Sequence, residues 1–270
     1  MGVYWGLRLP AFYSMKKIML IILATIFWQP TAIAAQKCET FSAVGVDYWY
    51  PYIYQNTQGQ LTGIVVDATR EALRRVGIKL EVQPSAPWKR ILFQFQSARV
   101  DMVLGAYWNK ERAAKFLYST PIAKEEIRVF VRSGEEFSLS SFDDLKGRNG
   151  FRLQGGSLGQ EFDDFARKHL TFSYVPTNDK MIEMLGHGRG EYGLQGHHQG
   201  LHFGDRLGLT GKIVALPWPI LSNDVHVMIN QNAACADKVD EFNSAIYEMK
   251  KSGDIEALIA KHRQGEWGGQ

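Results

Sequence analysis

The sequence predicts an α/β protein built from two successive parallel-sheet units, and three observations carry that expectation. Strand-like apolar runs alternate with helix-period segments from residue 41 to residue 104, and the same alternation restarts near residue 138. A chain that is 45% hydrophobic and 12% aromatic also has apolar surface enough for two lobes of about 100 residues each. That composition excludes a disordered chain.

The elements follow in order. Phe41 to Val46 is an apolar run ahead of an aromatic turn and reads as a strand. Val65 to Val76 places Val65, Thr69, Ala72, Leu73 and Val76 on one helical face, and Gly77 stops the helix. Lys79 to Gln83 reads as the next strand. Trp88 to Ser97 reads as a helix with Trp88, Ile91, Leu92 and Phe95 on one side, and Val100 to Leu104 as a third strand. This βαβαβ order calls for a parallel sheet covered on both faces. Ligands in such sheets bind beyond the carboxyl ends of the strands, here Val46-Asp47 and Leu104-Gly105. The β-branched run Ile127 to Val131 can pass between lobes, and Ser138 to Lys146 is polar with a helical turn. The second unit then reads strand (Gly150 to Leu153), helix (Leu158 to His169), strand (Phe172 to Val175), helix (Asp179 to Leu185) and strand (Tyr192 to Leu194). Val225 to Ile229 reads as a return strand. Val239, Phe242, Ile246 and Met249 line one face of a last long helix, and Ile255, Leu258 and Ile259 a shorter one.

The N-terminus stands apart from the fold. Lys16 and Lys17 precede the apolar run Ile18 to Trp28, and Ala32-Ile33-Ala34 is a small-x-small cleavage site. This is the pattern of a secretory signal peptide over residues 1–34, cut between Ala34 and Ala35. Such a leader would naturally begin at Met15, with residues 1–14 an extension. The apolar run is shorter than the ~20 residues that a permanent membrane span needs. Of 31 Lys+Arg and 28 Asp+Glu, the leader holds Arg8, Lys16 and Lys17, so the mature chain balances at 28 against 28. A neutral chain with no Lys/Arg run has no electrostatic footprint for nucleic acid or an anionic membrane surface.

Two cysteines occur, Cys38 and Cys235, both in the exported part. An oxidising compartment permits them to pair, provided the chain returns to its first lobe near its C-terminus; two buried free thiols are the alternative. Gln36-Lys37 before Cys38 excludes a lipoprotein cysteine, and the wide spacing speaks against a zinc site. No cofactor motif is present, so no cofactor is expected.

Five short segments occur in sequence: Asp47 to Tyr52 (DYWYPY), Gly59 to Gly63 (GQLTG) with Asp67, Gly105 to Arg112 (GAYWNKER), Tyr118 to Pro121 (YSTP) and Asp143 to Gly147 (DDLKG). Their order resembles the family 3 periplasmic solute-binding proteins, the polar-amino-acid receptors of ABC importers, over roughly Val44 to His262. The resemblance implies a two-lobed, type II periplasmic-binding-protein-like fold. Lobe 1 would be residues 36–129 with 230–270, lobe 2 residues 130–229, with two hinge crossovers and a ligand in the cleft. It implies as partners a small-molecule ligand and an inner-membrane ABC permease, with the protein acting as a monomer in the periplasm.

The resemblance also assigns site residues. Arg112 matches the arginine that pairs with the ligand carboxylate, a role for which the planar guanidinium fork is suited; otherwise it begins a solvated helix. Gly105 opens the segment whose spacing matches, and before the arginine Tyr107, Trp108 and Asn109 replace the usual small hydroxyl residues and predict a more aromatic pocket. Trp49 aligns with the aromatic that stacks on the ligand, while Tyr50 and Tyr52 read as core. Trp88 is equally a core residue or a cleft floor. Gly156 and Ser157 resemble the turn that meets the carboxylate from the second lobe, before a helix N-terminus. Leu185 to Glu191 (LGHGRGE) resembles the Leu-x-x-Gly-Arg-x-Asp segment and sets a register in which the ammonium-binding aspartate of amino-acid receptors is Gly196. Without it a standard amino acid loses a contact worth about 1.5–3 kcal/mol, unless another acid such as Asp224 supplies one. His197 at the mouth, with His198 and His202, suggests a metal or a pH-sensitive contact, but no Asp, Glu or Cys surrounds them at a regular spacing and the segment reads first as a solvated loop. An enzyme on the same fold, acting on prephenate or arogenate, and a sensor with a separate membrane partner are the rival readings.

Overall fold

The computed structural model describes residues 38–264, together with residues 1–3 and 6. The leader expected over residues 1–34 lies almost entirely outside the described residues.

The first strand, β1 (Thr40–Val44), is flanked in parallel by β5 (Lys79–Val82) and β6 (Met102–Tyr107). Between β1 and β5 the aromatic segment folds into a small antiparallel sheet of β2 (Tyr48–Trp49), β3 (Ile53–Gln55) and β4 (Leu61–Thr62). Helix α1 (Ile64–Arg75) follows and buries Ile64, Val65, Val66, Ala68, Thr69, Ala72 and Leu73. Helix α2 (Trp88–Gln96) buries Trp88, Ile91 and Phe95, the side that its apolar spacing predicts. Beyond β6 come the short helix α3 (Lys110–Ala113) and strand β7 (Leu117–Tyr118).

Strand β8 (Ala123–Arg132) leaves this half. The second half repeats the alternation with β9 (Gly150–Leu153), α4 (Gln160–His169), β10 (Phe172–Val175), α5 (Asn178–Gly186), β11 (Tyr192–Gly196), α6 (His197–Arg206) and β12 (Ile213–Ala215). Strand β13 (Leu221–Ile229) returns, and α7 (Val239–Ser252) and α8 (Asp254–Gln264) close the chain. The strand order is β10-β9-β11-β8-β13-β6-β1-β5. Each half is mostly parallel, and the halves meet where β8 and β13 pair antiparallel, from Ala123↔Val225 to Ile127↔Leu221. The fold is thus two-lobed, with β8 and β13 as the two crossovers.

Helices α7 and α8 pack on α1. Cys38 and Cys235 form a disulfide across 197 residues of sequence, with Cα atoms 4.8 Å apart, so the chain's return to its first lobe is covalently tied. A second tie joins α8 to α1: His262, 3% exposed, lies 3.0 Å from Asp67 through Nε2, while Tyr54 meets its Nδ1 at 2.9 Å. Burial alone would raise the Asp67 pKa, but hydrogen bonds from His262 and Lys261 outweigh it and hold the carboxyl down at about 2.

Residues 197–206 are a helix, which corrects the expectation of a solvated loop. Gly200 explains the difference, because a Cβ there would overlap the Phe130 ring. The glycine that weakens the helical pattern is what lets α6 lie flat on β8. Among the described residues no helix is long and apolar enough to cross a membrane.

Candidate functional site

A cavity of about 90 Å³ lies between the carboxyl ends of the strands of the two lobes. From the first lobe it is lined by Val46, Tyr48, Trp49, Trp88, Gly105, Ala106, Tyr107 and Arg112. From the second come Arg152, Leu153, Gly156, Ser157, Leu158, Asn178, Leu194, Gln195, Gly196 and Gln199.

The first wall is aromatic for local reasons. Gly105, at φ +77, ends the flat part of β6, and a Cβ there would lie 2.7 Å from the Trp49 ring; only glycine leaves room for the indole against the backbone. Trp49 meets Tyr107 edge to face at 5.3 Å. Trp88 serves as both core and cavity wall: it is 8% exposed, and its Nε1 donates to the Gly155 carbonyl at 3.0 Å. Arg112 stacks over Trp88 at 5.2 Å, and its Nη2 donates to the same carbonyl at 3.2 Å. Burial lowers the pKa of this guanidinium, against Tyr118 and Asp163, which raise it; an arginine stays charged throughout. Arg112 does lie in the first turn of a short helix, α3, none of whose residues is buried, while its guanidinium reaches the cavity wall. It is the third residue of α3, with its backbone N–H capped by Asn109 Oδ1 at 2.9 Å.

The second wall is more polar. Arg152 pairs with Asp163, and Asp163 also accepts from the Ser157 hydroxyl and the Leu158 N–H. The Ser157 hydroxyl is thus directed at a carboxylate of its own lobe, and α4 starts at Gln160, two residues later than its sequence pattern predicts. Gln199 Nε2 donates to the Tyr48 carbonyl across the cleft, and Asn223 Nδ2 donates to Leu158 O at 2.8 Å. The Gln199–Tyr48 bond crosses between the lobes, as do the Trp88 and Arg112 bonds to the Gly155 carbonyl. Gln195 lines the cavity at 2% exposure with both amide atoms unpartnered.

Of the ten ligand-binding residues expected from the sequence, seven line the cavity: Arg112, Trp49, Tyr107, Gly105, Trp88, Gly156 and Ser157. Trp108, Asn109 and His197 do not. Strand β6 runs on to Tyr107, so alternation turns Tyr107 inward and leaves Trp108 outward and 44% exposed. Asn109 is the helix cap. His197 opens α6, with its pKa lowered by burial and by Arg128; burial and Arg206 push His202 down to about 4. Asp224 is 40% exposed and paired with Lys124, so it supplies no acid to the cavity. Among the described residues no group of three or more His, Cys, Asp and Glu gathers to hold a metal ion.

One acidic residue escaped the sequence reading. Glu125, on β8, is 2% exposed. Its Oε2 accepts from Trp49 Nε1 at 2.8 Å and from the Tyr107 hydroxyl, while Oε1 has no partner. Burial raises its pKa to about 8, against the hydrogen bonds from Tyr107 and Trp49, which lower it. The signal was present in the alternation of β8: Ala123, Ile127, Val129 and Val131 are buried, and Glu125 falls in the same phase.

The comparisons with known proteins agree with this fold. The model of the bacterial extracellular solute-binding proteins, family 3, matches residues 43–265. The L-cystine-binding protein TcyJ of Escherichia coli (strain K12) is 27% identical over 233 residues, covering 81% of this chain and 80% of that protein. The fold is also that of a histidine kinase sensor domain with similarity to periplasmic binding proteins, at a TM-score of 0.71 and 21% identity over 83% of this chain and 96% of the other. The ancestral amino acid-binding protein AncCDT-1, a precursor of cyclohexadienyl dehydratase, superposes at a TM-score of 0.65 and 19% identity, covering 82% and 94%.

Proposed function

The chain belongs to the bacterial extracellular solute-binding proteins of family 3, and from that premise we propose that it is a periplasmic receptor for a small carboxylate-bearing solute, an amino acid or a close relative. The observation that carries this reading is Arg112: a cation on the cavity wall whose acceptors are the Gly155 carbonyl and the Tyr118 phenol, with no carboxylate of the described residues bound to it. A ligand carboxylate fits a guanidinium in that condition. The lobes, hinged at the ladder of residues 123–127 and 221–225, close on the solute, and the closed monomer delivers it to an inner-membrane ABC permease. The leader at residues 1–34 supplies export. A thermal-shift screen over amino acids and small organic acids tests the reading, because a solute that binds only the folded state raises stability by RT ln(1 + [L]/Kd). A carboxylate that raises the melting temperature of the native protein but not of Arg112→Ala supports it; equal shifts in both proteins refute it.

One observation favours a second reading. Glu125, with its pKa raised to about 8 by burial behind the cavity's Trp49 and Tyr107, has the character of a general acid, and AncCDT-1 is by name a precursor of cyclohexadienyl dehydratase. Incubation with prephenate, followed by phenylpyruvate absorbance, separates the two, since turnover would replace the receptor by an enzyme.

A further inference from the structure

We propose that Glu125 is the residue that selects for a cationic amine on the bound solute, entering the site from the hinge strand through the space that Gly196 leaves open. The inference rests on the receptor reading above and adds the second charge of the solute.

Two independent observations point to it. A Cβ added at Gly196 would overlap Glu125 Oε1. The carboxyl of one crossover strand therefore occupies the volume that a side chain at position 196, on the cavity wall, would fill. Oε1 is also a buried oxygen without a partner, beside three lining residues: Trp49 and Tyr107, which bind only Oε2, and Gly196 itself. A buried polar atom left without a partner costs the full desolvation of the group, and once the carboxyl ionises and this oxygen becomes an acceptor, a ligand ammonium is the donor that satisfies it most completely. Glu125 also stands opposite Asn223 in the crossover ladder, so an ammonium held there is read where the lobes hinge.

The groups facing Glu125 are Trp49 from β2, Tyr52 from the turn between β2 and β3, and Tyr107 from β6; none is a cation. In the closed protein the carboxyl is held mostly protonated at pH 7, with its pKa at about 8. Binding an ammonium at Oε1 favours the ionised form, so the proton on Oε1 is released to solvent while the solute nitrogen keeps its own. Affinity then rises with pH, by about tenfold per unit below pH 8, and about one proton is released per solute bound at pH 7.

The test is calorimetric titration of the full mature chain with three matched pairs: L-phenylalanine and 3-phenylpropionate, L-glutamine and glutaramate, and L-cystine and 3,3′-dithiodipropionate. Titrations run in buffers of different ionisation enthalpy, which reads proton release. The expected result is that the amino acid of at least one pair binds ten- to a hundredfold tighter than its deaminated analogue, with about one proton released. Glu125→Gln, which keeps the volume and the acceptor for Trp49 and Tyr107, should bring that ratio close to one and abolish the release. The double variant Glu125→Ala/Gly196→Asp should restore at least part of the preference, since it returns a carboxylate to the same volume from β11. Deaminated analogues that bind as well as the amino acids, or a preference and proton release unchanged in Glu125→Gln, would overturn the inference and leave the carboxylate receptor standing. A wild-type protein that binds no member of any pair overturns both.

Discussion

Two guanidiniums line the cavity, one from each lobe, and they are in opposite conditions. Arg152, in the second lobe, is paired with Asp163, which in turn holds the Ser157 hydroxyl and the Leu158 N–H; its charge is spent on the turn that leads into α4. Arg112, in the first lobe, rests on an indole face and a backbone carbonyl, and although Asp163 and Glu111 act on it at a distance, no carboxylate of the described residues is paired with it. Motif and burial alone do not separate a binding arginine from a structural one. The difference is whether the fold has already supplied the anion.

That contrast can be broken in order of effect. Arg152→Ala leaves Asp163 as an uncompensated carboxylate, only 15% exposed, and should cost about 3 kcal/mol of folding stability, read from denaturant unfolding. A stability unchanged by Arg152→Ala would put Arg152 beside Arg112 as a free cation. Arg112→Ala should do the reverse, weakening solute binding about 100-fold, equivalent to about 2.7 kcal/mol, with a nearly unchanged denaturant midpoint. Asp67 is a second carboxylate spent on the fold, and Asp67→Asn should cost about 2 kcal/mol at pH 7. Its pKa is lower in the folded chain, at about 2, than in the unfolded one, so its contribution is fully present above about pH 4 and fades as pH falls towards 2. Stability measured against pH in both proteins should therefore converge at the acid end. Ser157→Ala is the mildest: the hydroxyl faces Asp163, so affinity should change by less than about threefold while stability falls by about 1 kcal/mol. A large loss of affinity with intact stability would show that the hydroxyl turns to the solute on binding.

The legible part of the molecule was the part whose burial follows a simple period. The helical faces of α1, α2 and α7, and strands β9 and β10, lie where their apolar spacing puts them, because the helices each turn one apolar face to the core and the strands coincide with short apolar runs. The crossovers were read only as their apolar ends, Ile127 to Val131 and Val225 to Ile229, because their other halves carry Lys124, Glu125, Glu126, Asn223 and Asp224. Polar residues there belong to an inter-lobe ladder, and one of them, Glu125, is buried for that reason. Helix α6 was missed because Gly200 answers to the Phe130 ring and not to helix propensity. At the site, Arg112 and the aromatic wall are legible through local segments, whereas Gln195, Gln199, Asn178 and Arg152 line the cavity from separate elements and Glu125 stands behind Trp49, Tyr107 and Gly196, an arrangement that no spacing in the sequence records. The Cys38–Cys235 bond was open between pairing and two thiols until the return of α7 to the first lobe decided it.

The central claim is that the cleft grips its solute by Arg112, the one of its two lining guanidiniums that has no carboxylate of the described residues paired with it. Its most direct test is side-by-side calorimetry of the native protein, Arg112→Ala and Arg152→Ala with the tightest-binding carboxylate of the solute screen. The account predicts a loss of about 100-fold in Arg112→Ala, and an Arg152→Ala protein that binds within a few-fold of native under conditions where it remains folded. Native affinity in Arg112→Ala would contradict it.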